Sequence, residues 1–123
     1  MKEFIMVGLG GLIGSITRYG VYLYTSRLFI DKSHIATLIV NLVGCFLIGL
    51  LSGNILKGNN QLSLLLITGV CGGFTTFSAF ALDGIKLLKN GLYSQFLLYS
   101  LLSVVGGLIF CLFGILVTNR AQV

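Results

Sequence analysis

Four apolar runs, each long enough to cross a bilayer and parted by only three short polar stretches, leave this chain few ways to fold. A membrane-spanning helix needs about 20 mostly apolar residues at 1.5 Å rise per residue to cross roughly 30 Å of hydrocarbon. The runs lie at about residues 4–29, 35–56, 62–88 and 92–118. Between them stand Asp31-Lys32-Ser33-His34, Lys57-Gly58-Asn59-Asn60 and Lys89-Asn90-Gly91, whose turn-forming residues read as hairpin loops. The expected fold is an all-α membrane protein of four transmembrane helices, one integral-membrane domain over residues 1–123. Almost nothing remains for a water-soluble domain, so the activity has to reside in the bilayer.

Composition removes the main competitors. Hydrophobic residues make up 56% of the chain and charged ones 9%, against roughly 25% charged in soluble domains. A soluble domain of this length has too much surface to bury so many apolar side chains. The eight basic residues are spread along the chain, all but Arg18 near the ends of the runs, which argues against nucleic-acid binding, where Lys and Arg cluster. Cys45, Cys71 and Cys111 lie in three separate apolar runs and read as small hydrophobes, neither a disulfide framework nor a metal site. The first run lacks a typical cleavage region and matches the later ones in length, so it reads as a span and not as a leader.

An even number of spans puts both termini on one side. Lys2, Lys57 and Arg120 then face Arg27, Lys32, Lys86 and Lys89, and three against four gives the positive-inside rule nothing to choose by. Dual topology is the resulting expectation: the same chain inserts both ways and pairs as an antiparallel homodimer. The other readings are a weak signal resolved by the insertion machinery, or a partner chain of different charge.

The third run breaks the pattern. Gly69 to Phe80 reads G-V-C-G-G-F-T-T-F-S-A-F, and Thr75-Thr76 after Gly72-Gly73 predicts a helix broken near its middle, because glycine weakens helix interiors and β-branched threonine is no strong former. A break frees backbone carbonyls, which membranes tolerate only where protein, water or an ion satisfies them; a bound cation there is reasonable. The pairs Gly10/Gly14, Gly49/Gly53 and Gly69/Gly73 read as helix-packing positions. The Gly72-Gly73 doublet is expected to do something else, since polar Thr75 and Thr76 stand just after it.

Other polar groups at depth are functional candidates by default. Arg18 either snorkels to an interface or lines a wet vestibule where its charge gathers anions. Asn41, one turn after Thr37, offers amide donors to an anion or an interhelical hydrogen bond. Phe77 and Phe80, three apart, share a helix face while Ser78 points about 100° away; their ring edges are positive and suit an anion, though such a pair is more often core or lipid-facing. Tyr99 and Ser103, with Gly106 and Gly107 beyond, form a hydroxyl stripe or simple helix glue. Glu3, Asp31 and Asp83 are read as terminal, loop and helix-end residues, and His34 as a satisfied loop residue. With no buried acid, a passive anion pathway is favoured over proton-coupled export.

The segments G-G-L-I-G-S-I-T-R-Y (10–19), A-T-L-I-V-N-L-V-G-C-F-L-I-G (36–49) and G-V-C-G-G-F-T-T-F-S-A-F (69–80) resemble the three signature segments of the CrcB-like, or Fluc, fluoride channels. The resemblance covers all four spans. It implies a channel and not an enzyme: an antiparallel homodimer in the inner (plasma) membrane, with two fluoride pathways and a structural sodium ion at its centre. Asn41, Phe77 and Phe80 would line the pathway, with Ser78, Thr76, Tyr99 and Ser103 contributing hydroxyls and Arg18 standing in the vestibule. The backbone carbonyls of Gly72 and Thr75 would hold sodium. Ala79 stands where many relatives have threonine, and Ser15 where alanine is usual. A small multidrug transporter, expected to carry a first-span carboxylate and a tryptophan, and a non-transporting membrane assembly protein are the alternatives.

Overall fold

The structure, a computed structural model, describes residues 1–30, 32–52, 56 and 58–120. Helix α1 is Lys2–Leu28 and α2 is Ser33–Ser52. The third span, Asn60–Lys89, divides into α3 (residues 60–74) and α4 (Phe77–Lys89) on either side of Thr75 and Thr76. Helix α5, Tyr93–Arg120, is the fourth span. Four helical spans are therefore present and the third is broken where the sequence places the break. Ser33 and His34 belong to α2 and not to a loop; Asp31 and Lys57 lie outside the described residues.

The packing has two glycine seams. A Cβ on Gly10 would run into the Leu65 carbonyl and one on Gly14 into the Val70 carbonyl, while Gly69 and Gly73 meet the backbones of Gly10 and Gly11 in return. Helices α1 and α3 thus touch backbone to backbone, the close approach that small residues allow in lipid. Across the second seam, Gly49 of α2 packs on the Cys111 carbonyl and Gly114 of α5 on the Phe46 carbonyl. Thr118 closes that seam by donating to the Leu50 carbonyl at 2.8 Å. Gly53, the partner of Gly49 in the second predicted pair, lies outside the described residues.

The seams correct one expectation. Gly73 is a packing glycine, with a Cβ at that position only 2.6 Å from the Gly11 carbonyl oxygen, whereas Gly72 faces open space. The two members differ because neighbouring residues on a helix point about 100° apart, so only Gly73 meets α1. Gly91 at φ 72° ends α4, and the Leu92 N–H reaches back to the Leu87 carbonyl at 2.9 Å, the left-handed helix stop that glycine accepts without strain. The three cysteines are free thiols.

Candidate functional site

The break is a short extended segment held by side chains. Thr75 (φ −78°, ψ 157°) and Thr76 (φ −153°, ψ 116°) leave the helical region together. The Asn41 amide brackets Thr76: its Nδ2 donates to the Thr76 carbonyl at 3.0 Å and its Oδ1 accepts from the Thr76 N–H at 2.8 Å. The Thr76 N–H, which the break takes from the Gly72 carbonyl, is thereby paired. Thr76 then starts α4, its Oγ1 accepting from the Ala79 N–H at 3.2 Å, as an N-cap threonine does. Threonine is present at the break as a cap as well as a weak helix former, and a threonine just ahead of an apolar helical run is the sequence signal for that second role.

Two cavities meet at this break. The larger, of about 570 Å³, is mostly apolar and is lined among others by Asn41, Gly72, Thr75, Thr76, Phe77, Phe80 and Ser103. The smaller, of about 440 Å³, is polar and lined by Ser15, Arg18, Thr76, Ser78, Ala79, Asp83 and Lys86 among others. Thr76 belongs to both walls. Arg18 is half-buried and its guanidinium Nη1 donates to the Thr75 carbonyl at 3.3 Å, from the smaller cavity toward the break.

The predicted residues thus divide into two groups. Phe77 and Phe80 lie with ring centroids 5.5 Å apart on the wall of the larger cavity, and Phe77 is 79% exposed on the isolated chain. Ser78 faces the smaller cavity, with its Oγ 3.2 Å from Thr76 Oγ1. Tyr99 is buried behind Phe80, ring centroids 5.2 Å apart, and meets the edge of His34 on its other side at 5.7 Å. Among the described residues, the hydroxyls of Ser100 and Ser103 are buried without a hydrogen-bond partner, and Ser103 belongs to the wall of the larger cavity. Ser103 sits in a stretch of wide π-type turns, Leu102–Gly106, and Leu64–Cys71 forms another beside the same cavity; such turns recur at functional sites.

The reading that the chain buries no acid is corrected. Asp83 is only 5% exposed, in the middle of α4, and accepts from Ser33 Oγ at 2.7 Å and from Thr37 Oγ1 at 2.6 Å. Lys86 Nζ stands 3.9 Å from the same carboxylate, and the Tyr22 hydroxyl meets Thr37. The position of Asp83 near the end of an apolar run masked this, because α4 starts only at Phe77. The signal was a stripe on α2: Ser33, Thr37 and Asn41 are successive i,i+4 neighbours. Likewise His34 is half-buried in α2 against Tyr99 and is no loop residue.

The break also suits a cation in part. The Gly72 carbonyl would receive the Thr76 N–H in a continuous helix, but that donor is taken by Asn41, and Gly72 opens onto the larger cavity. The Thr75 carbonyl already accepts from Arg18 and has one lone pair left for an ion.

A family model described as CrcB-like protein, Camphor Resistance (CrcB), matches residues 5–115. This chain belongs to the CrcB-like family. Among its relatives, a fluoride-specific ion channel FluC of Azobacteroides pseudotrichonymphae is 40% identical over 122 residues, covering 97% of this chain and 98% of that one. A protein of the same name from Phocaeicola vulgatus is 41% identical, covering 94% and 97%. One from Rhizobium leguminosarum is 49% identical over 94 residues, covering 74% and 75%. The CrcB-like match spans the first three helical segments, the break, and most of α5, so the side chains that line the two cavities fall within it.

Proposed function

We propose that this chain is a fluoride-selective channel that lets cytoplasmic fluoride leave passively down its electrochemical gradient, as an antiparallel homodimer with two pathways in the inner membrane. The observation that carries the reading is the cavity at the break, where one bracketing amide, two phenylalanine rings and an unpartnered serine hydroxyl converge. The names of the relatives supply the ion.

The chemistry suits fluoride, which is small and tightly hydrated, so that a pathway must return hydrogen bonds in a narrow space. Asn41 gives one N–H to Thr76 and has one left for the ion. Ser103 and Tyr99 add hydroxyls, and the positive edges of Phe77 and Phe80 complete the wall. Arg18 gathers anions in the smaller cavity, which serves as the vestibule with Thr76 and Ser78 on its rim. The largely exposed Phe77 and the open cavity leave one side for a second copy to close. In such a dimer Gly72 and Thr75 of both copies would present four carbonyl oxygens to a structural sodium ion; a hard cation takes oxygen ligands of this kind. A multidrug-type transporter is disfavoured because the first helix carries its only acid, Glu3, in its first turn.

Expression in a bacterial strain deprived of its own fluoride export tests the function: growth should return at fluoride levels that stop the empty-vector control, and no rescue by membrane-inserted chain would refute it. A C-terminal tag should be reachable from both sides of the membrane; one-sided labelling would refute dual topology. Sodium removal should weaken the dimer, and an unchanged dimer would refute the cation site.

A further inference from the structure

Among the described residues, Asp83 is the one buried charged group; it stands in the wall of the smaller cavity, and its bonds give it a geometric function. Helix α4 is tied to α2 at two places. At one, Asn41 holds Thr76 just before the first residue of α4. At the other, Ser33 and Thr37 hold Asp83 at 2.7 and 2.6 Å. Seven residues separate Thr76 from Asp83, about two helical turns or roughly 10 Å, and on α2 the donors run back through the same two turns from Asn41 to Ser33. One attachment would leave a short helix free to swivel about it; two fix both rotation and register. Phe80 lies between them, one turn from Asp83.

We infer that Asp83 is a positioning residue that sets the angle of the Phe80 ring, and through it the anion selectivity of the cavity. The inference rests on the reading of Phe80 as pathway wall. The residue type matters: the carboxylate offers one oxygen to the Ser33 hydroxyl and the other to the Thr37 hydroxyl, which an apolar side chain cannot do. An amide at position 83 can keep both attachments, its oxygen accepting from one hydroxyl and its N–H donating to the other, whereas alanine removes both. Lys86 at 3.9 Å, more than half exposed, completes the charge balance without adding a third point on α2. Among the described residues no glycine seam joins α4 to α2 to perform this alignment; Gly84 of α4 instead faces the Phe96 ring of α5.

The test is the ratio of fluoride to chloride efflux from liposomes, measured beside dimer elution in detergent. Wild type is measured first, and equal passage of the two ions there would defeat the channel reading itself, independently of Asp83. Given a selective wild type, Asp83→Ala should elute as the dimer and lower the fluoride/chloride ratio by about fivefold or more, the worth of at least one hydrogen bond, while Asp83→Asn, which can bond both hydroxyls, should stay closer to wild type. Thr37→Val should reproduce that fall and Thr37→Ser should stay near wild type. A purely structural bond would change yield and thermal stability while leaving the ratio in the surviving dimers intact, and that result would overturn the inference. If Asp83→Ala does not assemble, the Thr37→Val and Thr37→Ser pair decides alone: equal ratios in the two variants would overturn it.

Discussion

The glycine seams and the α4 corner hold helices together by opposite means. Along α1–α3 and α2–α5, backbones touch through Gly10, Gly14, Gly69, Gly73, Gly49 and Gly114, contacts of dispersion that need only the absence of a side chain. Helix α4 is fixed instead by polar bonds, from Asn41 to Thr76 and from Ser33 and Thr37 to Asp83. The difference teaches where function lies in a molecule almost entirely apolar. A seam tolerates no added atom but carries no chemistry. The polar corner aims side chains, and in a low-dielectric setting its bonds are strong when complete and costly when half made.

The largest effect should come from filling a seam. Gly10→Leu would drive a side chain into the Leu65 carbonyl and the Gly69 backbone, and detergent extracts should yield no monodisperse protein. Gly72→Ala, one position from the seam but facing open space, should assemble normally; equal loss in both would erase the distinction between seam and break. Next comes Asn41→Leu, which leaves the Thr76 N–H unpaired at about 1–3 kcal/mol. Fluoride flux should fall at least a hundredfold and thermal stability with it, and flux near wild type would show that the bracket is dispensable.

Smaller effects sharpen the corner itself. Phe80→Ile should lower fluoride flux about tenfold, within the range an aromatic edge contact supplies, with the dimer intact by size-exclusion chromatography; unaltered flux would reject the ring-edge role. Thr76→Ala should lower thermal stability by about 1 kcal/mol through loss of the N-cap bond, and Thr76→Ser should restore it. No difference between the two would mean that α4 starts without its cap.

The spans, the break and the Phe77/Phe80 pair were legible because each is a local pattern: run length, glycine followed by threonine, and a spacing of three. What remained hidden depends on partners distant in sequence. Gly73 could not be told from Gly72 until α1 lay against it. Asp83 lies 46 residues from Thr37 and 50 from Ser33, so nothing local marks it as buried. Asn41 was legible as a polar group at depth, but its bracketing of Thr76 across 35 residues was not. The π-type turns at Leu64–Cys71 and Leu102–Gly106 leave no compositional mark, since their residues are as apolar as their neighbours.

The central claim, that the cavity beside the broken span conducts fluoride, is tested most directly by ion-selective-electrode recording of efflux from liposomes reconstituted with the purified chain. Fluoride should leave rapidly once the membrane potential is released, while chloride from matched liposomes stays behind. Equal passage of both ions, or of neither, would contradict the account.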